Sequence, residues 1–181
     1  MLEDDRTMKV KICLVGDSHV GKTSLIRRYV HDEFDDRYIS TLGAKVSKKE
    51  MTVHSEIGDI AVTMTVWDIM GERGFTDLLK ESFFTGAGGI LAVCDLTRGE
   101  TFEGLEDWIQ AVKSVTGDIP MTFVGNKLDL KDEHAYGDDR LSDFAKNHGS
   151  SHFLTSAKTG ENVEQVFLDL AKRALATGET D

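Results

Sequence analysis

At 181 residues the chain has the length of one domain, and its 40% apolar content is enough to bury a core. Twenty-one basic residues against 32 acidic ones leave a net charge of −11. That balance excludes a nucleic-acid binder working through a basic face, and it excludes electrostatic adhesion to anionic lipid. No apolar run approaches membrane-spanning length, and the acidic start MLEDDRTMKV lacks the apolar segment of a signal peptide. Leu2 is not the glycine that myristoylation needs, and the end ATGETD offers no cysteine to prenylate. No intrinsic lipid anchor is therefore expected, and the expected location is cytoplasmic. Cys13 and Cys94 each sit in an apolar strand-like run, KVKICLV and GILAVCDL, and read as buried free thiols.

In chain order, residues 9–15 read as a strand and 22–31 as a helix. Residues 44–54 and 60–67 alternate with period two around SEIGD, which predicts an antiparallel hairpin. Residues 76–84 read as helix and 89–94 as a buried strand. Thr101 to Val115 reads as one helix with Phe102, Leu105, Trp108, Ile109 and Val112 on its inner face. A strand follows over 120–125, a helix over 139–147 and a short strand over 152–154. The last helix, 161–176, turns Val163, Val166, Phe167 and Leu170 inward. Such alternation predicts an α/β domain spanning residues 1–181, with a mostly parallel six-stranded sheet, one antiparallel hairpin strand and helices on both faces. Residues 1–8 and 177–181 are expected to fray. In such sheets ligands bind beyond the C-terminal strand ends, and every motif below follows a predicted strand.

GDSHVGKT, Gly16 to Thr23, fits the phosphate-loop pattern between a strand and a helix. Glycines let the backbone curl so that successive N–H groups point inward, and the helix N-terminus adds partial positive charge. The candidate cradle is Gly16, Ser18, His19, Val20, Gly21, Lys22, Thr23 and Ser24. Lys22 can reach the β- and γ-phosphates, and the Thr23 hydroxyl can ligate Mg²⁺. The loop implies a nucleoside triphosphate without choosing the base. NKLD chooses it. Asp129 can accept from guanine N1–H and the 2-amino group, Asn126 can bond the other guanine edge, and the Lys127 stem can cover the ring. In SAK, behind Ser156 and before Lys158, the Ala157 N–H can meet guanine O6. In WDIMG, Asp68 can serve Mg²⁺ through water, while Gly71 can offer its N–H to a γ-phosphate and act as a hinge.

GDSHVGKTSL, DDRYISTLG, WDIMGERGF, GNKLD and TSAKTGENV together resemble the Ras superfamily of small GTPases, most closely its Rab-like branch and archaeal relatives. The resemblance runs from Lys9 to about Ala176. It implies the fold of a phosphate-loop NTPase and a switch that binds GTP and GDP with Mg²⁺. Phe34 matches the aromatic that packs against guanine. Thr41 matches the threonine that joins the metal and the γ-phosphate only when GTP is bound. Val46 and Trp67 match partner-facing apolar positions, although a tryptophan there equally serves sheet packing.

Three features depart from the family pattern. Glu72 stands where glutamine is usual. An ionised glutamate can accept from an attacking water but cannot donate to the transition state. His19 stands where glycine is frequent. The segment from Gly71 to Phe83 also runs one residue longer than the Rab pattern. Arg37 and Arg73 are the nearby candidates for an arginine acting in cis on the transition state. The leading reading is a GTP-hydrolysing switch with Lys22, Thr41, Gly71 and Glu72 as catalytic residues. A GTP-binding module with negligible hydrolysis, reset by a partner, is the alternative. Another phosphate-loop enzyme is a third reading, which NKLD and SAK oppose.

Overall fold

The apolar runs that read as strands assemble, among the described residues, into one six-stranded sheet of order β2-β3-β1-β4-β5-β6. The computed structural model describes residues 7–37, 41 and 43–178, without the side chains of Arg73, Phe75, Thr76 and Asp77. Part of DDRYISTLG and most of both predicted tails therefore lie outside the described residues. β1 (Thr7–Val15), β3 (Gly58–Ile69), β4 (Gly89–Asp95), β5 (Met121–Asn126) and β6 (Ser151–Leu154) pair in parallel, and β2 (Ala44–Ser55) runs antiparallel to β3. Every residue of β4 is buried, as a parallel strand covered on both faces requires.

α1 (Lys22–His31) and α6 (Val163–Gly178) pack on one face, where the rings of Tyr29 and Phe167 stack at 4.1 Å. α2 (Arg73–Phe84), α3 (Gly99–Glu103), α4 (Leu105–Thr116) and α5 (Asp138–Asn147) pack on the other. There Phe144 sets its ring edge-on to Phe102 and Phe123, 5.3 and 5.0 Å away. All the residues predicted to face inward from α4 and α6 are buried.

The structure refines four predicted boundaries. The hairpin strands extend to Ser55 and Gly58, leaving Glu56 and Ile57 as the turn, and Gly58 supplies the positive φ of 119°. The helix read as continuous from Thr101 is loosened at Gly104, where the Trp108 N–H reaches the Gly104 carbonyl at 3.4 Å, and it divides into α3 and α4. α2 begins at Arg73 rather than residue 76. Thr7 and Met8, expected to fray, pair with Ala61 and Val62 in β1. Cys13 and Cys94 are free and fully buried, and burial pushes both thiols up to about 12. They stay protonated and unreactive at neutral pH. Among the described residues no helix is long and apolar enough to cross a membrane.

Truncating Phe123, which lies on β5 fully buried against Phe144, leaves a cavity in the second core. Phe123→Ala is expected to lower stability by about 3–5 kcal/mol in urea unfolding. Ile57→Ala, at the exposed hairpin tip, is expected to change it by less than about 0.5 kcal/mol.

Candidate nucleotide-binding site

The loop between β1 and α1 leaves the sheet at Gly16, whose φ is 143°. A Cβ there would stand 2.2 Å from the Val93 carbonyl oxygen, so only glycine permits this approach to β4. His19 adopts φ 68°, in the left-handed region that explains why glycine suits this position. Gly21 caps α1 without a side-chain hydrogen bond, and the first turn of α1 carries no acid. The N–H groups and the positive end of the helix are thus left for an anion. Lys22 is 6% exposed, and its ammonium donates to the carbonyls of Gly16 at 2.7 Å and Asp17 at 2.9 Å. Burial lowers its pKa to about 8, against the pull of Asp68 and Asp17.

Three oxygen-bearing side chains meet beside this ammonium. The Thr23 hydroxyl donates to Asp68 Oδ2, it shares a 3.0 Å hydrogen bond with the Thr41 hydroxyl, and Thr41 Oγ1 lies 3.3 Å from the same carboxylate oxygen. Asp68 is 2% exposed, and its Oδ1 has no hydrogen-bond partner among the described residues. Burial raises the Asp68 pKa, with the Thr23 hydrogen bond and the Lys22 charge opposing it. Two hydroxyls and a carboxylate with an unmatched oxygen are a hard-oxygen set suited to Mg²⁺.

The loops after β5 and β6 lock together. Asn126 sits at the end of β5, buried. Its Nδ2 donates to the Val20 carbonyl at 3.0 Å, and its Oδ1 accepts from Thr155 Oγ1 at 3.1 Å and the Ala157 N–H at 3.3 Å. Asn126 thereby bridges the phosphate loop to the SAK loop. Ser156 Oγ donates to Asp129 Oδ1 at 2.7 Å and so orients that carboxylate. Lys127 takes φ 71° and sets its ammonium 2.7 Å from the buried Asp95 carboxylate.

One cleft of about 580 Å³ joins both halves, within the usual size of a small-molecule site. Ser18, His19, Gly21, Lys22, Thr23 and Ser24 form its floor, and Thr41, Gly71 and Glu72 one rim. Asn126, Lys127, Asp129, Ala157 and Lys158 form the far end, with Phe34 on the wall. Gly16, Val20 and Ser156 support this lining from behind. Asp68 lies in a smaller pocket that shares Thr23, Arg27 and Lys45 with the cleft. Glu72 is the exposed N-cap residue of α2. Gly71 comes so near the phosphate loop that a Cβ would be 2.4 Å from the Ser18 nitrogen. Arg37 lines the cleft but is paired with Asp35 at 2.7 Å, and the Arg73 side chain lies outside the described residues. Val46 is half exposed, whereas Trp67 is partly buried beneath the Lys11 ammonium, 3.8 Å from its ring centroid.

Sequence reasoning missed the residues that brace the loops. Arg98 Nη2 donates to the Ser18 carbonyl at 3.0 Å, and Trp108 Nε1 donates to Asp17 Oδ1 at 2.9 Å. Arg28 reaches the SAK loop. Asp95 carried a visible signal, a carboxylate ending a wholly apolar strand. The others did not.

A phosphate-loop sequence between the first strand and first helix of this sheet, with hydroxyl and carboxylate oxygens beside it and one cleft running on to the β5 and β6 loops, is the arrangement of a phosphate-loop NTPase. The chain belongs to the Ras family, which residues 11–176 match. It is similar to the Ras-related protein Rab-21 of Bos taurus, 33% identical over 177 residues that cover 97% of this chain and 78% of that protein. Rab-21 of Homo sapiens is likewise 33% identical, over 97% of this chain and 76% of that protein. Rab-7a of Dictyostelium discoideum is 35% identical over 172 residues, 92% and 82% of the two chains. The chain is accordingly a Rab-like small GTPase, a guanine-nucleotide-binding switch.

Lys22 gives the site a pH signature. Because its folded pKa of about 8 lies below the ordinary 10.5, the ligand-free fold holds fewer protons here than the unfolded chain between those values. The penalty from this group is full below pH 8 and fades as the pH rises through that window. A phosphate at the ammonium favours the charged form and raises the pKa again. GDP binding at about pH 8.5 is therefore expected to take up a fraction of a proton, read by calorimetry in buffers of different ionisation enthalpy. Lys22→Met is expected to lose that uptake, and wild-type affinity is expected to fall as the pH rises above about 8.

Proposed function

We propose that this single domain, residues 1–181, binds GTP in the cleft, hydrolyses it slowly to GDP and phosphate, and presents a different surface in each state. The observation that carries this reading is the meeting of Thr23, Thr41 and Asp68 beside the buried Lys22 ammonium. Lys22 and the amides of residues 18–23 balance charge on the β- and γ-phosphates. Thr23 and Thr41 hold Mg²⁺ with Asp68 behind them, and the ion when bound neutralises charge on the phosphate oxygens. Gly71 offers its N–H to the γ-phosphate. Asp129, held by Ser156, accepts from the guanine edge, with Asn126, Ala157 and Phe34 around the base. Loss of the γ-phosphate frees Thr41 and Gly71, and that order change is the signal. Effectors and regulators read it over Thr41, Val46, Trp67 and Gly71.

In hydrolysis, water attacks the γ-phosphorus in line with the leaving oxygen, and Glu72 orients that water by accepting its hydrogen bond. Its carboxylate adds negative charge near a charged phosphate and supplies no donor, which slows the unaided reaction. Single-turnover hydrolysis tests this. Wild type is expected to turn GTP over slowly, and Glu72→Gln to raise the rate about tenfold or more by restoring an amide donor. An unchanged rate would remove Glu72 from the reacting water. Tight binding by both proteins with no turnover over hours would favour the module reset by a partner.

A further inference from the structure

Arg28 sits on α1, in the helix that starts at Lys22, and belongs to none of the motifs that mark the cleft. Its side chain is 18% exposed, and all three guanidinium nitrogens donate. Nε bonds the Ala157 carbonyl at 2.8 Å and Nη2 the Lys158 carbonyl at 2.5 Å. Nη1 bonds the Asp32 carboxylate at 3.0 Å and the Asp32 carbonyl at 3.3 Å. Gly160, at φ 86°, lies over the stem, where a Cβ would make ordinary van der Waals contact with Arg28 Cδ at 3.5 Å.

The contact with Asp32 alone is a surface ion pair, since that carboxylate is 90% exposed, and such pairs contribute little. The two successive carbonyls of the SAK loop are different. They come from the far end of the chain, and the planar fork of an arginine meets them with little further loss of freedom. With both carbonyls drawn to α1, the loop turns Ala157 and Lys158 to the cleft, which they line. The Ala157 N–H bonds Asn126 Oδ1 at only 3.3 Å, a length that lets it be shared with a base oxygen. Asp32 itself holds the left-handed φ of 53° at the end of α1, where the chain turns toward Phe34. One guanidinium thus ties the SAK loop to the root of the segment that carries the aromatic wall.

The geometry points to Arg28 as a positioning residue for the base: it aims the Ala157 N–H at a purine 6-oxo oxygen and thereby sets how slowly the nucleotide leaves. This rests on the guanine reading of the cleft. Arg28 touches no part of the nucleotide and acts through the loop.

The test is the release rate of GDP, 6-thio-GDP and ADP from wild type, Arg28→Ala and Arg28→Lys. 6-Thio-GDP keeps N1–H and the 2-amino group but offers sulfur, a weak acceptor, in place of O6. Wild type is expected to release 6-thio-GDP faster than GDP. Arg28→Ala is expected to speed GDP release about tenfold and 6-thio-GDP release by less than about threefold, so the gap narrows. Arg28→Lys, with one donor head, is expected to fall between, and it decides by the same two ratios if the alanine chain does not fold. Unchanged GDP release overturns the inference, and so does equal acceleration of both guanine nucleotides. A wild type that holds 6-thio-GDP as firmly as GDP while rejecting ADP also overturns it and leaves the guanine reading intact. A wild type that holds ADP as firmly as GDP removes both.

Discussion

A lysine ammonium buried at the start of a helix sets the terms for the rest of this molecule. Lys22 is held on two backbone carbonyls, with a depressed pKa and the unspent N–H groups of α1 around it. Backbone N–H groups at a helix start beside an ammonium are an arrangement that suits an anion. The surrounding backbone follows from that need. Gly16 lets the loop pass against β4, Gly21 opens the helix without capping it, and His19 accepts a left-handed conformation so that the loop can curl. The sheet supplies the place, since β1, β4, β5 and β6 all release their loops on one side of the molecule.

The two ends of the cleft are built differently. The base end is tied by hydrogen bonds between distant loops: Asn126 to Val20, Thr155 and Ala157, Ser156 to Asp129, and Lys127 to Asp95. The phosphate loop is braced from behind by Arg98 and Trp108. These partners stay within the protein and hold a shape ready for a ligand. At the other end, Thr41 reaches Thr23 and Asp68 through its hydroxyl, and Gly71 passes close to the Ser18 nitrogen.

The motifs were legible because their chemistry needs neighbouring residues. A phosphate cradle, a base-edge pair and a turn beside it each occupy a short run, so GDSHVGKT, NKLD and SAK could be read directly, as could the strand–helix alternation. Contacts between far residues could not. The Arg28 bond to Ala157 spans 129 residues and the Trp108 bond to Asp17 spans 91, and neither partner stands out in composition. Periodicity placed Trp108 correctly on the inner face of α4, yet gave no hint that its indole N–H reaches the phosphate loop. The same limit applies to Asn126, whose bonds to Val20, Thr155 and Ala157 reach other loops and left no trace in the local pattern. Local geometry accounts for the shifted boundaries: Gly104 loosens a helix that apolar spacing reads as continuous, and Gly58 allows a tighter hairpin than SEIGD suggests.

The central claim is that Thr41 joins Thr23 and Asp68 around the γ-phosphate and lets go when that phosphate is lost. Release rates of GDP and of a non-hydrolysable GTP analogue from wild type and Thr41→Ala, both with Mg²⁺ present, test it most directly. The account predicts that Thr41→Ala speeds release of the GTP analogue about tenfold and leaves GDP release unchanged. Equal acceleration of both nucleotides, or of neither, would contradict it.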